Sequence, residues 1–186
     1  MKKIILVLVF CLLSVGAVAA QNNFSITSNS VGFVRLGMTV NQARTALKGY
    51  KLKRTSDGEG VSLIEVSRNG KAVMNLFAGE ADAGDAINGR AKIEFIEVTD
   101  TSYKTADGVH PQMMVKEVER RLGKLKKIEV SEIEQREFAT FAKKPKNLSF
   151  LIRGDEGDYA GIYAEGKRES TKTNAAARIY SISVAQ

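Results

Sequence analysis

The chain has 186 residues, with 28 Lys and Arg against 21 Asp and Glu, one His, one Cys and no Trp. One cysteine excludes a disulfide framework, a thiolate zinc site and an iron–sulfur cluster, and one histidine excludes a histidine-based metal site. The basic excess is mild and interspersed with acidic residues, which argues against nucleic acid as a partner.

Taken in chain order, residues 1–20 read as a secretory signal peptide: Lys2 and Lys3, an apolar run from Ile4 to Val15, and small residues at Ala17, Ala19 and Ala20. The run is too short to span a bilayer as a helix. Cys11 lies within it, preceded by Phe10 where a lipoprotein cleavage box needs a small residue. Cleavage after Ala19 or Ala20 leaves about 166 residues with no cysteine, and 26 basic against 21 acidic residues. A chain of that size buries roughly 70% of its unfolded surface, so a core alone can stabilise it. No later stretch is long and apolar enough for a membrane span. The expected product is exported, periplasmic or extracellular, with no transmembrane segment after processing.

After a lead-in at 21–29, the chain reads as two repeat units, 30–100 and 101–186. Residues 62–100 and 148–186 align without gaps at a constant offset of 86, matching Ile64 with Phe150, Phe77 with Tyr163, Ile96 with Ile182 and Val98 with Val184. Upstream of each block lies a helical stripe: Val40, Ala43 and Leu47 align with Val115, Val118 and Leu122 at an offset of 75. Thr39 with Gln42 forms a capping-box pattern for the first helix, and Lys48-Gly49 ends it. The second helix is expected to start near Pro111 and to end at Gly123. Strands are expected near 50–55, 61–67, 72–78 and 91–99, then near 126–131, 136–142, 148–153, 158–164 and 177–184. Glu132–Phe141 is compatible with a short helix as well as a strand. Asn69-Gly70 between two apolar runs is a strong hairpin signal. The expected class is α+β: two tandem units, each a helix followed by an antiparallel sheet of about four strands. They would share one sheet, with the helices on one face.

The segment Val31-Gly32-Phe33-Val34-Arg35-Leu36-Gly37-Met38-Thr39, followed by the Val40, Ala43 and Leu47 stripe, resembles the Gly-Met-Thr, helix, Leu-Gly opening of two groups of small exported bacterial proteins. One is the β-lactamase inhibitory protein, a tandem duplication of helix and four-stranded sheet. The other is the small lipoprotein of the outer-membrane protein assembly machine, with one such unit. The chain is more similar to the first, although its second copy reads Gln112-Met113-Met114 and it has neither disulfides nor a lipobox. The resemblance implies a fold and a mode of working, which is binding another protein without chemistry. It implies no target and no binding residue.

Chemistry-bearing motifs are sparse. His110, beside Pro111, has only Asp107 near it in sequence, which makes it a turn residue rather than a general base. Glu80, Asp82 and Asp85 are spaced like a crude calcium loop, but the glycines and a bidentate Glu do not fall where an EF-hand needs them. Asp155, Glu156 and Asp158 form a second acidic knot at a turn. Lys116, Arg120, Arg121, Lys124, Lys126 and Lys127 make a basic run that reads as a solvated helix face or a weak anion-binding surface. No nucleophile elbow, P-loop or dinucleotide fingerprint occurs. No cofactor and no catalytic residue is assigned.

Strand side chains alternate between faces, and the two copies vote twice at each position. Positions 64/150, 66/152, 74/160, 76/162, 78/164, 96/182 and 98/184 are apolar in both copies and should face the helices. The other face then carries Leu63, Glu65, Val73, Asn75, Phe77, Phe95 and Glu97, with Ser149, Leu151, Arg153, Tyr159, Tyr163, Ser181 and Ser183 from the second unit. Aromatic anchors among small polar groups are what interfaces use. The candidate binding residues are therefore Phe77, Phe95, Tyr159, Tyr163, Leu63, Asn75, Leu151 and Arg153, helped by the long loops 79–90 and 165–176. The leading expectation is an exported, non-enzymatic protein-binding module, inhibitor-like or assembly-like. The alternatives are a binder of an anionic envelope component through the basic second unit, and a hydrolase working through paired carboxylates.

Overall fold

The computed structural model describes residues 24–58, 60–79, 82, 84–132 and 135–185. Residues 1–20, read from the sequence as a signal peptide, lie outside them. The fold is α+β and mostly sheet, with two α-helices and two sheets among the described residues. Helix α1 spans Val40–Ala46 and α2 spans Val115–Leu122. Strands β1 (Ser25–Ile26), β2 (Ser30–Val31), β3 (Val34–Arg35) and β8 (Lys104–Thr105) form a small sheet in the order β3-β2-β1-β8. The large sheet contains β4 (Lys51–Ser56), β5 (Ser62–Arg68), β6 (Lys71–Phe77), β7 (Phe95–Val98), β9 (Leu125–Val130), β10 (Glu137–Phe141), β11 (Leu148–Arg153), β12 (Glu169–Ser170) and β13 (Arg178–Ala185). Its order is β12-β9-β10-β11-β13-β7-β6-β5-β4, antiparallel throughout.

Local chemistry explains the elements. The Thr39 hydroxyl accepts the Gln42 N–H at 3.2 Å, and the Gln42 side chain accepts the Thr39 N–H at 2.9 Å. This is the expected capping box, and it satisfies two otherwise orphaned donors. Asn69 (φ 52°) and Gly70 (φ 78°) both sit in the left-handed region, as the tight β5–β6 turn requires. At the sheet's outer edge, Lys51 and Lys53 of β4 are exposed, which discourages pairing with another chain.

One core holds the molecule together. Ile64, Val66, Met74, Leu76, Ile96, Val98, Phe150, Ile152, Ile182 and Val184 are all buried, and they pack with Val40, Ala43 and Leu47 of the first helical segment and Val115, Val118 and Leu122 of the second. Ile26, Val31 and Val34 of the small sheet join the same cluster. The alternation therefore assigns the helix-facing side of β5, β6, β7, β11 and β13 correctly, with Val73 as an exception. β6 is irregular opposite Val66 and Ser67, so Val73 turns into the core, at 7% exposure.

The same contacts tie each helix start to a central strand. In the first half, the Gly37 and Val40 N–H groups donate to the Ile93 and Ala91 carbonyls, and Ile93 N–H donates to Met38. In the second, the Gln112 and Val115 N–H groups donate to Ile179 and Ala177, and Ile179 N–H donates to Met113. Two differences from expectation lie at these contacts. β7 is only Phe95–Val98, and residues 91 and 93 bond to the helix start. α2 begins at Val115 rather than near Pro111, because Gln112 takes φ 68° in the place of Gly37 (φ 81°) and forms the turn before the helix.

A further correction concerns 158–164, which forms no strand. Counted outward from the central β7–β13 pair, β11 stands where β6 does and β10 where β5 does. Residues 148–153 therefore correspond in position to 71–77, not to 62–68. The chain after β11 turns through Asp155–Gly157 and makes only an isolated bridge, Gly161 with Thr173. Residues 137–141, read as either helix or strand, form β10.

Candidate functional site

The face of the large sheet opposite the helices is a groove of about 740 Å³. Its lining comes wholly from strands and from the tips of the β4–β5 and β9–β10 hairpins. Six strand steps separate β4 from β10, or about 29 Å in a flat sheet at ~4.8 Å per step. Yet Arg136 Nη2 at one tip lies 3.3 Å from Asp57 Oδ2 at the other. The twist of the sheet must therefore bring these tips toward each other across the groove.

A polar row crosses the floor. Strand pairing joins Glu65 to Asn75, Asn75 to Glu97, Glu97 to Ser183, and Ser183 to Ser149. An apolar row flanks it on each side. Phe77 and Phe95 are directly paired, with Leu63 on the neighbouring strand. Across the polar row, Leu151 is paired with Phe138 on one side and with Ser181 on the other. The Arg153 guanidinium stacks 3.9 Å above the Tyr180 ring, a cation–π contact that holds the cation at one end of the groove. Glu97 accepts from Ser181 Oγ at 2.7 Å and from Asn75 Nδ2 at 3.4 Å.

Of the eight candidate residues, Phe77, Phe95, Leu63, Asn75, Leu151 and Arg153 line this groove. Tyr159 and Tyr163 do not. Glu137, on the helix-facing side of β10 and only 3% exposed, accepts the Ala160 N–H (2.5 Å), the Gly161 N–H (2.7 Å) and the Tyr163 hydroxyl (2.7 Å). One buried carboxylate thus holds 158–164 as a folded loop, and Tyr163 packs against the core instead of the open face. Burial, the hydrogen bond to Glu137 and the charge of Glu137 push the Tyr163 phenol up from its ordinary pKa. Tyr159 is 49% exposed and packs edge-on to Tyr163.

The long loops do not line the groove either. In 79–90, the Gly89 carbonyl accepts the Asn41 N–H beside the start of α1. In 165–176, β12 pairs with β9 at the far edge of the sheet, beside a separate hollow of about 570 Å³ containing Lys126, Ile162 and Lys172. Phe138, Tyr180, Arg136 and Asp57 of the groove were not singled out from the sequence. Phe138 and Tyr180 sit on outward positions of strands, but an inward Glu137 and the irregularity near Ile152 in the β11–β13 pairing break the alternation that would have flagged them.

The remaining motifs are occupied by structural contacts. His110 Nδ1 lies 2.7 Å from the Pro111 carbonyl oxygen. Asp85 accepts the Asp82 N–H at 3.0 Å in a local turn, and Glu80 lies outside the described residues. Asp155 pairs with Arg178 at 2.7 Å. Within the basic run, Arg121 donates to the Asp107 carbonyl, and Lys127 bridges Glu129 and Glu169.

No protein-family model matches the chain, and no curated protein matches it in sequence. Its fold is similar to the crystal structure of the uncharacterized protein yfeY from Escherichia coli, with a TM-score of 0.56 at 16% sequence identity. The match covers 87% of this chain and 99% of that one, and it speaks to the fold alone.

Proposed function

We propose that the chain is an exported, non-catalytic binding protein built of two tandem helix–sheet units, and that it takes a segment of another protein into the concave sheet face. The observation that carries this is the groove itself. Phe77, Phe95, Phe138, Leu63 and Leu151 stand among small polar side chains on a surface that only strands and hairpin tips define. Interfaces draw most of their energy from such aromatic and aliphatic anchors. A site built on strands also loses little conformational entropy when a partner docks. The repeated helix-start hydrogen bonds favour the duplication, as does the centre of the sheet, where Glu97 pairs with Ser183, the residue 86 positions later. An inhibitor-like mode of working agrees with this arrangement, as does the signal-peptide pattern at 1–20.

A binder of anionic envelope material would instead use the hollow near Lys126 and Lys172, where Ile162 is 54% exposed. Position-specific photocrosslinking separates the two. A benzophenone side chain replacing Phe95 should yield protein adducts in extracts of the cells that export the chain, and one replacing Ile162 should not. Adducts only from position 162, or equal yields from both, would remove the groove from its proposed role.

A further inference from the structure

We infer that the segment bound in the groove is extended and presents a lysine or arginine to its floor, with an apolar side chain two residues to either side. This deepens the proposed function and rests on the groove being the binding surface. The protein is basic overall, with 28 Lys and Arg against 21 Asp and Glu, yet the centre of the floor is acidic. Glu65 and Glu97 flank Asn75 in one row across three strands. Neither forms an ion pair among the described residues. Glu97 is held only by the neutral donors Ser181 and Asn75, which leaves its charge uncompensated. Arg153, the groove cation without an acidic partner among the described residues, is stacked on Tyr180 two strands away from β7.

A second observation marks the same spot. Ser183, the strand partner of Glu97, is 8% exposed, lines the groove and has no side-chain hydrogen bond among the described residues. Its hydroxyl has no protein partner among the described residues and faces the groove, so a ligand donor or acceptor there would take the place of water on it. A cationic head seated between Glu97 and Ser183 would meet a carboxylate and a hydroxyl, with the Phe95 ring at its side and Glu65 two strands further along the row.

The rows also fix spacing. Phe95 lies two residues from Glu97 along β7, and Leu151 lies two residues from Ser149 along β11, on the opposite side of the polar row. Two residues of strand span about 6.8 Å, which is also the distance between alternate side chains of any extended segment laid along the sheet. A segment reading apolar–x–Lys/Arg–x–apolar, running obliquely from Phe95 on β7 past Ser183 to Leu151 on β11, two strand steps or about 9.6 Å to the side, therefore places its three floor-facing side chains on the apolar, polar and apolar rows in turn.

The test is a positional-scanning library of acetylated, amidated octapeptides bound to the purified protein. The expected result is enrichment of that pattern, with Lys or Arg preferred over Glu at the central position by about tenfold or more. Glu97→Gln should abolish most of the preference. Glu65→Gln, whose side chain makes no hydrogen bond among the described residues and so leaves folding untouched, should reduce it as well. Peptides that bind through Phe95, as shown by loss on Phe95→Ala, but without preference for a cation, would overturn this inference and leave the groove as the binding surface. Binding indifferent to Phe95→Ala and to both glutamate variants would overturn the proposed function itself. Failure of every octapeptide to bind would overturn the extended-segment claim.

Discussion

Glu137 is the residue whose replacement tests this structure most sharply. Its two carboxylate oxygens accept three donors: Ala160 N–H on one, Gly161 N–H and the Tyr163 hydroxyl on the other. Glu137→Gln preserves size and shape but places an amide NH₂ where an oxygen accepts. In either orientation a buried backbone N–H faces another donor and goes unsatisfied, which costs about 1–3 kcal/mol. The bonds that survive lose their charge assistance, worth roughly another 1 kcal/mol in total. The expected loss is therefore about 3 kcal/mol. Tyr163→Phe removes one bond from a half-buried ring, and should cost about 1.5 kcal/mol. Combined with Glu137→Gln it should cost less than the two single losses added, because both act on one cluster. Urea unfolding followed by circular dichroism measures all three, and hydrogen exchange at the Ala160 and Gly161 amides reports the loop alone. If Glu137→Gln loses under 1 kcal/mol and leaves those amides equally protected, the carboxylate does not hold the loop, and the placement of Tyr163 against the core is wrong.

The two sheet faces should respond differently to truncation. Phe150, fully buried on the helix side and edge-on to Phe141, should cost about 3–5 kcal/mol as Ala, whereas half-buried Phe95 should cost under about 2; urea midpoints that coincide would refute the face assignment. At Gln112, φ 68° strains a side chain where Gly37 sits unstrained, so Gln112→Gly should stabilise by up to about 1 kcal/mol, and a loss in thermal unfolding would contradict the turn. Alkaline pH should destabilise. Burial and the hydrogen bond with Tyr50 push the Tyr103 phenol up, and burial with Glu137 does the same for Tyr163, so the folded chain holds both protons more tightly than the unfolded one. Their contribution is complete below about pH 10, the ordinary tyrosine value, and is lost as pH rises above it. Melting temperatures at pH 9 and 11 should differ, and Tyr163→Phe should flatten part of that difference.

Much of this fold is legible in the sequence because its signals are local and periodic. The capping box at Thr39, the turn at Asn69-Gly70 and the alternation in β5, β6, β7 and β13 each follow from a few neighbouring residues. The same reading, with β11 included, placed eleven of the groove's lining residues on the open face. The failures share another cause. Residues 158–164 alternate like a strand, but whether such a segment pairs depends on what else can accept its N–H groups. Here Glu137, more than twenty residues earlier in the chain, supplies the acceptor. Arg136 and Asp57 meet across the groove only because the sheet curls, and no sequence spacing encodes a contact between residues 79 apart. The gapless alignment at an offset of 86 laid 95–98 on 181–184, which are strand neighbours at the centre of the sheet, but it laid 62–68 on β11, which stands where β6 does, because the second half has its added length after β11 whereas the alignment put it between helix and block, at 124–147.

That added length bears on how the open face could stay open. A sheet with two apolar faces normally needs a layer on each. On the helix side the layer is built from many pieces: two helices, the small sheet and the loop locked by Glu137. On the other side, the groove is lined by the sheet itself and bridged at its tips by Arg136 and Asp57. The polar row of Glu65, Asn75, Glu97, Ser183 and Ser149 makes that arrangement tolerable, since it keeps the face wet enough to remain uncovered while the phenylalanines remain available. A solvated face would not need Phe77, Phe95 and Phe138, and a core face would not carry Glu97 with only the neutral donors Asn75 and Ser181 on it. Their combination agrees with the binding surface proposed above, since interfaces set aromatic anchors among polar groups.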